Sequence, residues 1–204
     1  MTGEWYAPVY HRLKSVVSVE HGIPNALLHL LPEGSSFQGI QDHKEAFIRK
    51  AGDGDVTAIH ELIQQHRFKA DGSGQLIPVN KTTLYALAEA GKLFVAEHGG
   101  VIGCGSVISY DGIAELRSVV VAPENQKRGY GNALIEYGKR LAAELGYSEL
   151  YALVNPEALP AFRSSGFSVV SPRPLQKIER DCVQCPLYKN GCREKTLVCR
   201  LEGR

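Results

Sequence analysis

Residues 114–135 read AELRSVVVAPENQKRGYGNALI, and this stretch decides the fold. An apolar strand ends at Val121, and Pro123 prevents its simple continuation. Gln126-x-x-Gly129-x-Gly131 follows, and Asn132-Ala133-Leu134-Ile135 then opens a helical pattern. A Gly-rich turn between a strand and a helix exposes backbone N–H groups at a helix N-terminus. With the helix dipole, those groups form an anion site. Lys127 and Arg128 add positive charge beside it. The cargo suited to such a turn is a phosphate or pyrophosphate.

Two common nucleotide motifs fail here. The Walker string Gly-x-x-x-x-Gly-Lys-Ser/Thr is absent, and Leu134 stands where a dinucleotide fingerprint needs its third glycine. Read alone, Gly129-x-Gly131 is a tight turn. In its setting of strand, basic residues and helix, it resembles the acyl-CoA pyrophosphate loop of the GNAT N-acetyltransferases, Gln/Arg-x-x-Gly-x-Gly/Ala. The resemblance implies that Gln126, Lys127, Arg128, Gly129, Tyr130, Gly131 and Asn132 surround the pyrophosphate of acetyl-CoA. It implies that Val119, Val120 and Val121 hold the pantetheine arm through their backbone. It also gives Asn155 a part in orienting the pantetheine, although Asn155 before Pro156 is equally a turn residue.

The remaining pattern agrees. A short strand at Ala46–Lys50 leads to a helix with Ile59, Leu62 and Ile63 at helical spacing, for which Asp55 or Thr57 is the expected cap. A second helix carries Leu84, Leu87 and Ala88, with Thr82 or Thr83 as its expected cap. Strands at Leu93–Glu97 and Val101–Tyr110 flank His98-Gly99-Gly100, a compact hairpin turn. The helix after the glycine loop runs to about Glu144. Strand Ser148–Val154, a short helix at Pro160–Ser165 and a strand at Phe167–Val170 follow. The order β-α-α-β-β-β-α-β-α-β predicts an α/β (α+β) domain: a mixed twisted sheet flanked by helices, as in the GNAT acyl-CoA N-acyltransferase fold. We expect an N-terminal extension over 1–43, the acetyltransferase domain over 44–178 and a cysteine-containing tail over 179–204.

Acetyl transfer to an amine needs a neutral nucleophile, a proton acceptor and donors for the thioester oxygen. Glu115 is the candidate base, a carboxylate inside a strand-like segment just before the residues expected at CoA. Otherwise it is a strand-end carboxylate facing solvent or paired to Arg117. Period-two geometry puts Arg117 on the same face, where its fork suits a substrate carboxylate, an internal ion pair or a phosphate. Family members often place a Tyr in the following helix as general acid. Phe162 stands there in this chain, leaving Tyr151 as a substitute if it faces inward. Cys104 in Gly103-Cys104-Gly105 reads as core packing. His29, His43, His60, His66 and His98 show no ligand or triad spacing.

Three stretches are similar to short amino-acid N-acetyltransferases of the stand-alone N-acetylglutamate synthase type: Ala114–Ser118, Phe162-x-x-x-Gly166-Phe167 and Asp181-Cys182-x-x-Cys185-Pro186. They imply a free amino acid as acceptor, glutamate first. A protein N-terminus, a polyamine or an aminoglycoside is the alternative acceptor. A non-catalytic acyl-CoA sensor or interaction protein is the alternative class. Cys182, Cys185, Cys192 and Cys199 could complete a tetrahedral zinc site. Iron–sulfur ligation, disulfides and unligated thiols fit the same spacing.

Composition bounds the reading. The chain has 204 residues, 44% hydrophobic and 22% charged, with a formal charge of +1, which argues for neither nucleic acid nor an anionic membrane as partner. There is no long apolar run and no basic segment leading into an apolar signal core. A cytoplasmic protein with no membrane partner is therefore expected, and an odd count of five cysteines agrees with that compartment. Residues 1–43 carry no chemistry motif and read as an accessory layer or the arm of a homodimer.

Overall fold

A computed structural model describes residues 47–67, 76, 78–185, 188 and 191–201. The elements expected within 1–46 and the loop at 71–74 lie outside the described residues. Helices and strands follow the order the sequence pattern predicts as far as β6. Strand β1 (Phe47–Lys50) precedes helices α1 (Val56–Gln65) and α2 (Lys81–Glu89). Strands β2 (Leu93–Glu97), β3 (Val101–Tyr110) and β4 (Ile113–Val121) follow. Helix α3 (Tyr130–Glu144), β5 (Glu149–Val154), α4 (Leu159–Ser164) and β6 (Ser168–Val169) come next. A short helix α5 (Leu175–Lys177) then runs into a π-helical turn (Ile178–Cys182), before the last strand β7 (Lys195–Arg200).

Among the described residues, seven strands form one sheet in the order β1-β2-β3-β4-β5-β7-β6. All pairs are antiparallel except β4 with β5. The terminal cysteine-bearing segment therefore supplies a strand inside the sheet, with Cys199 opposite Leu150. Asp111 and Gly112, with φ of 45° and 78°, join β3 to β4 in the left-handed conformations that a two-residue hairpin of this hand demands.

Both faces of the sheet are covered, and β2 shows how. Leu93 and Val95 pack with Val56, Ile59 and Ile63 of α1, while Phe94 and Ala96 pack with Leu134 and Ile135 of α3. Period-two alternation thus reads as a continuous apolar strand because each face has its own helix layer. Helix α3 lies close on the sheet at Gly138, where a Cβ would come within 2.5 Å of a Leu116 methyl. Cys104 is fully buried in the α1/α2 layer, as expected, and burial pushes its thiol up to about 12.

Two helix caps differ from expectation. Asn80 caps α2, its side-chain oxygen accepting from the Thr83 N–H at 2.8 Å, so Thr83 supplies the donor and not the cap. Asp55 does not cap α1. Its carboxylate is taken by the Arg49 guanidinium at 2.7 and 2.9 Å and by the Gly52 N–H, an arrangement that ties β1 to the start of α1.

Candidate active site

The site begins with a defect in β4. Arg117 pairs with Ser106 and Val120 with Cys104, so Ser118 and Val119 oppose one residue, Gly105. This is a β-bulge, and Ser118 takes a φ of 53° to make it. Gly105 has no room for a side chain, since a Cβ would meet the Phe94 ring at 2.6 Å. The bulge bends β4 away from β5. The two strands pair only at Glu115 with Tyr151 and Leu116 with Ala152. Beyond that point they splay, and the β5-facing backbone edge of Arg117–Val121 is left without a strand partner.

The glycine loop continues from this edge. Pro123–Asn125 makes one turn of 3-10 helix, and the Gln126 side chain donates to the Val121 carbonyl at 3.0 Å. Gln126 therefore braces the loop against the strand end. Lys127 and Gly129 have φ of 61° and 89°, and α3 starts directly after Gly129 with no side-chain cap on its first N–H groups. No atom lies within 4 Å of where a Cβ would stand on Gly129 or Gly131. Uncapped N–H groups, positive-φ geometry and open space together fit a pyrophosphate. Lys127 and Arg128 are exposed beside them. Tyr130 packs partly on the core. Asn132 reaches Ser164 of α4 at 3.4 Å, and the Asn155 oxygen accepts from the Ala158 N–H at 2.9 Å, which closes the turn after β5.

The other half of the site is made of charged side chains. Glu115 is 3% exposed. Its carboxylate accepts from Lys177 Nζ at 2.7 and 3.0 Å and from the Tyr110 hydroxyl at 2.8 Å. Lys177, equally buried, donates also to Asp181 at 2.7 Å. Arg117 lies on the face of Glu115, as period two requires, with Nε at 3.9 Å from Glu115 and Nη1 at 3.5 Å from Asp181. Arg180 reaches Asp181 at 3.8 Å while its guanidinium sits over the Tyr110 ring at 4.4 Å. Burial alone would raise the Asp181 carboxyl, but Lys177, Arg117 and Arg180 outweigh it and hold Asp181 below the ordinary aspartate range. Burial and the Glu115 charge push the Tyr110 hydroxyl upward. A small cleft lined by Tyr110, Glu115, Tyr151, Pro174 and Lys177 opens beside the cluster. Tyr151 faces this cleft, but its hydroxyl bonds to Glu149 at 3.1 Å and is not aimed at Glu115. Phe162 packs edge-to-face on Phe167 in the core.

Tyr110, Lys177, Arg180 and Asp181 are not found from sequence. The one available signal is the i, i+4 spacing of Lys177 and Asp181 in front of the cysteines.

The four cysteines do not come together. Cys182 and Cys192 flank the Arg173 guanidinium, at 3.0 and 3.8 Å. Cys199 lies elsewhere, in β7 near Gly166. Among the described residues no three His, Cys, Asp or Glu side chains are placed to hold a metal ion. The described geometry lends the zinc expectation no support: strand β7 carries Cys199 into the sheet, while Cys182 lies on the preceding turn. Arg173 also bonds Thr196 and the Glu194 carbonyl, and so fastens the 175–182 turn to β7.

The profile of the Acetyltransferase (GNAT) domain matches residues 89–169, which span β2 to β6 and contain the splay and the glycine loop. Residues 89–169 thus resemble the GNAT acetyltransferase domain in sequence. An uncharacterised N-acetyltransferase of Chlorobaculum tepidum is 28% identical over 74% of this chain and 94% of its own. An amino-acid acetyltransferase of Mycobacterium tuberculosis is 28% identical over 63% of this chain and 71% of its own. The structure of N-acetylglutamate synthase from Neisseria gonorrhoeae, with coenzyme A and N-acetylglutamate, superposes with a TM-score of 0.64 at 26% identity. That match covers 79% of this chain and 36% of the synthase. No described helix of this chain is long and apolar enough to cross a membrane.

Proposed function

We propose that this GNAT domain transfers the acetyl group of acetyl-CoA to the α-amine of a free amino acid, with glutamate as the first acceptor to test. The observation that carries the reading is the shared face of Glu115 and Arg117 at the mouth of the β4/β5 splay. The loop 126–132 holds the pyrophosphate on uncapped N–H groups, with Lys127 and Arg128 as counter-charge. The backbone edge of Val119–Val121 that β5 leaves unpaired bonds the pantetheine amides, and its N–H groups polarise the thioester carbonyl. Asn155 fixes the turn that borders the arm. Glu115 takes a proton from the acceptor ammonium, directly or through one water, so that a neutral amine attacks. Arg117 pairs with the α-carboxylate and aligns the amine.

No protein acid is assigned to the departing thiolate. Phe162 has no proton to give, and the Tyr151 hydroxyl is engaged with Glu149. A thiol ionises near pH 8.5, so the thiolate leaves readily and takes its proton from solvent.

An amine panel with acetyl-CoA, read by product mass, tests the reading. N-acetylglutamate is the expected product. Reaction of peptide or polyamine amines with inert glutamate would overturn the acceptor. Acetyl-CoA binding without turnover of any amine would make the domain a sensor.

A further inference from the structure

The cluster beneath the cleft holds more positive than negative charge. Arg117, Lys177 and Arg180 face two carboxylates, Glu115 and Asp181. Lys177 bridges both carboxylates, and Glu115 already accepts from Lys177 and Tyr110. Glu115 Oε2 accepts from both Lys177 and Tyr110 and Oε1 accepts from Lys177, so an acceptor ammonium meets a carboxylate already shared with a buried cation. An acceptor ammonium at Glu115 therefore competes with the Lys177 ammonium for the same carboxylate. Lys177 then keeps Asp181 but has a second cation beside it at Glu115, in a buried position where neighbouring like charges are costly.

We infer that Lys177 exchanges Glu115 for a side-chain carboxylate of the acceptor, and so selects an acidic amino acid. This inference rests on the amino-acid reading given above. After the exchange every charge has a partner: acceptor ammonium with Glu115, α-carboxylate with Arg117, side-chain carboxylate with Lys177, and Asp181 with Arg180. With a neutral amino acid the cluster keeps an excess of one positive charge, and with a basic one an excess of two. Asp181 competes with the incoming carboxylate for Lys177 and tempers the preference. Lys177 and Asp181 sit one turn apart on the same segment, so a small movement of that turn serves both. The π-helical geometry of Ile178–Cys182 marks the place where the backbone accommodates it.

The test compares kcat/KM for glutamate and glutamine, which share the α-amine and α-carboxylate and differ only in the side-chain charge. Wild type is expected to favour glutamate. Lys177→Met should cut the glutamate/glutamine ratio by roughly 10- to 100-fold, mainly through loss of glutamate. Lys177→Arg should recover part of the ratio. Asp181→Asn should hold or raise it. A ratio unchanged in Lys177→Met, or a wild type that favours glutamine, would overturn the role of Lys177 while amino-acid acetylation stands. Inert glutamate and glutamine in the wild type would overturn both readings. Should Lys177→Met fail to fold, Asp181→Asn still decides, because a fall in its ratio contradicts the competition between Asp181 and the acceptor.

Discussion

Around Gly129–Asn132 the chain presents backbone N–H groups that no side chain caps. Around Glu115, by contrast, each charged side chain already bonds or pairs with another. The donor half of the cleft is a preformed cradle, ready for an anion without rearrangement. The acceptor half is filled by its own paired side chains, and a ligand there must share or exchange their partners. Backbone cradles cost little to keep open, because their groups face water. Buried charges do not share that freedom: each must be paired before and after the ligand enters.

The largest expected effect falls on the acceptor half. Glu115→Gln keeps the shape but removes the proton acceptor, and kcat should fall about 10²- to 10⁴-fold. Steady-state kinetics with unchanged acetyl-CoA affinity would keep the two halves separate. A parallel loss of acetyl-CoA binding would join them.

Arg117→Ala should cost about 2–5 kcal/mol in transition-state binding of a carboxylate-bearing acceptor. The same loss should appear when wild type meets the α-amide, with little further loss for the variant on that amide. Four rate measurements close the cycle. Equal discrimination by both enzymes would remove Arg117 as the carboxylate reader.

The donor half is sharpened by Gly129→Val. The φ of 89° at Gly129 imposes about 1–3 kcal/mol of strain on a β-branched residue. Calorimetry should show acetyl-CoA binding weakened by roughly tenfold in a folded protein. Wild-type affinity in this variant would displace the pyrophosphate from the loop.

A smaller effect concerns acid stability. Asp181 is held below its ordinary value of 3.8, so its contribution to stability is complete above that value and is lost as the pH falls through and below it. Denaturant unfolding at descending pH should show wild type weakening more steeply than Asp181→Asn in that acid range. Parallel curves would mean that Asp181 does not stabilise the closed acceptor half.

The sequence carried one half far better than the other, for a physical reason. The glycine loop and the strand before it are local: their conformation follows from residues within a few positions, and they read correctly as strand, turn and helix. The period-two rule likewise placed Arg117 beside Glu115. The partner that closes Glu115 stands 62 residues away, at Lys177, on a turn positioned by Arg173 and by a strand that pairs between β5 and β6. No spacing reveals such a contact. The Cys182-x-x-Cys185 spacing suits metal ligation, whereas the fold places Cys199 in β7 near Gly166 and sets Cys182 and Cys192 against a guanidinium.

Hydrogen exchange by mass spectrometry tests the contrast most directly, since it follows both halves in one experiment. Acetyl-CoA alone should protect residues 126–132 and the free edge of β4, and leave the turn at 175–182 unchanged. Addition of glutamate to a dead-end complex with coenzyme A should then change exchange at 175–182. A response of that turn to coenzyme A alone, or its indifference to glutamate in an active enzyme, would contradict the account.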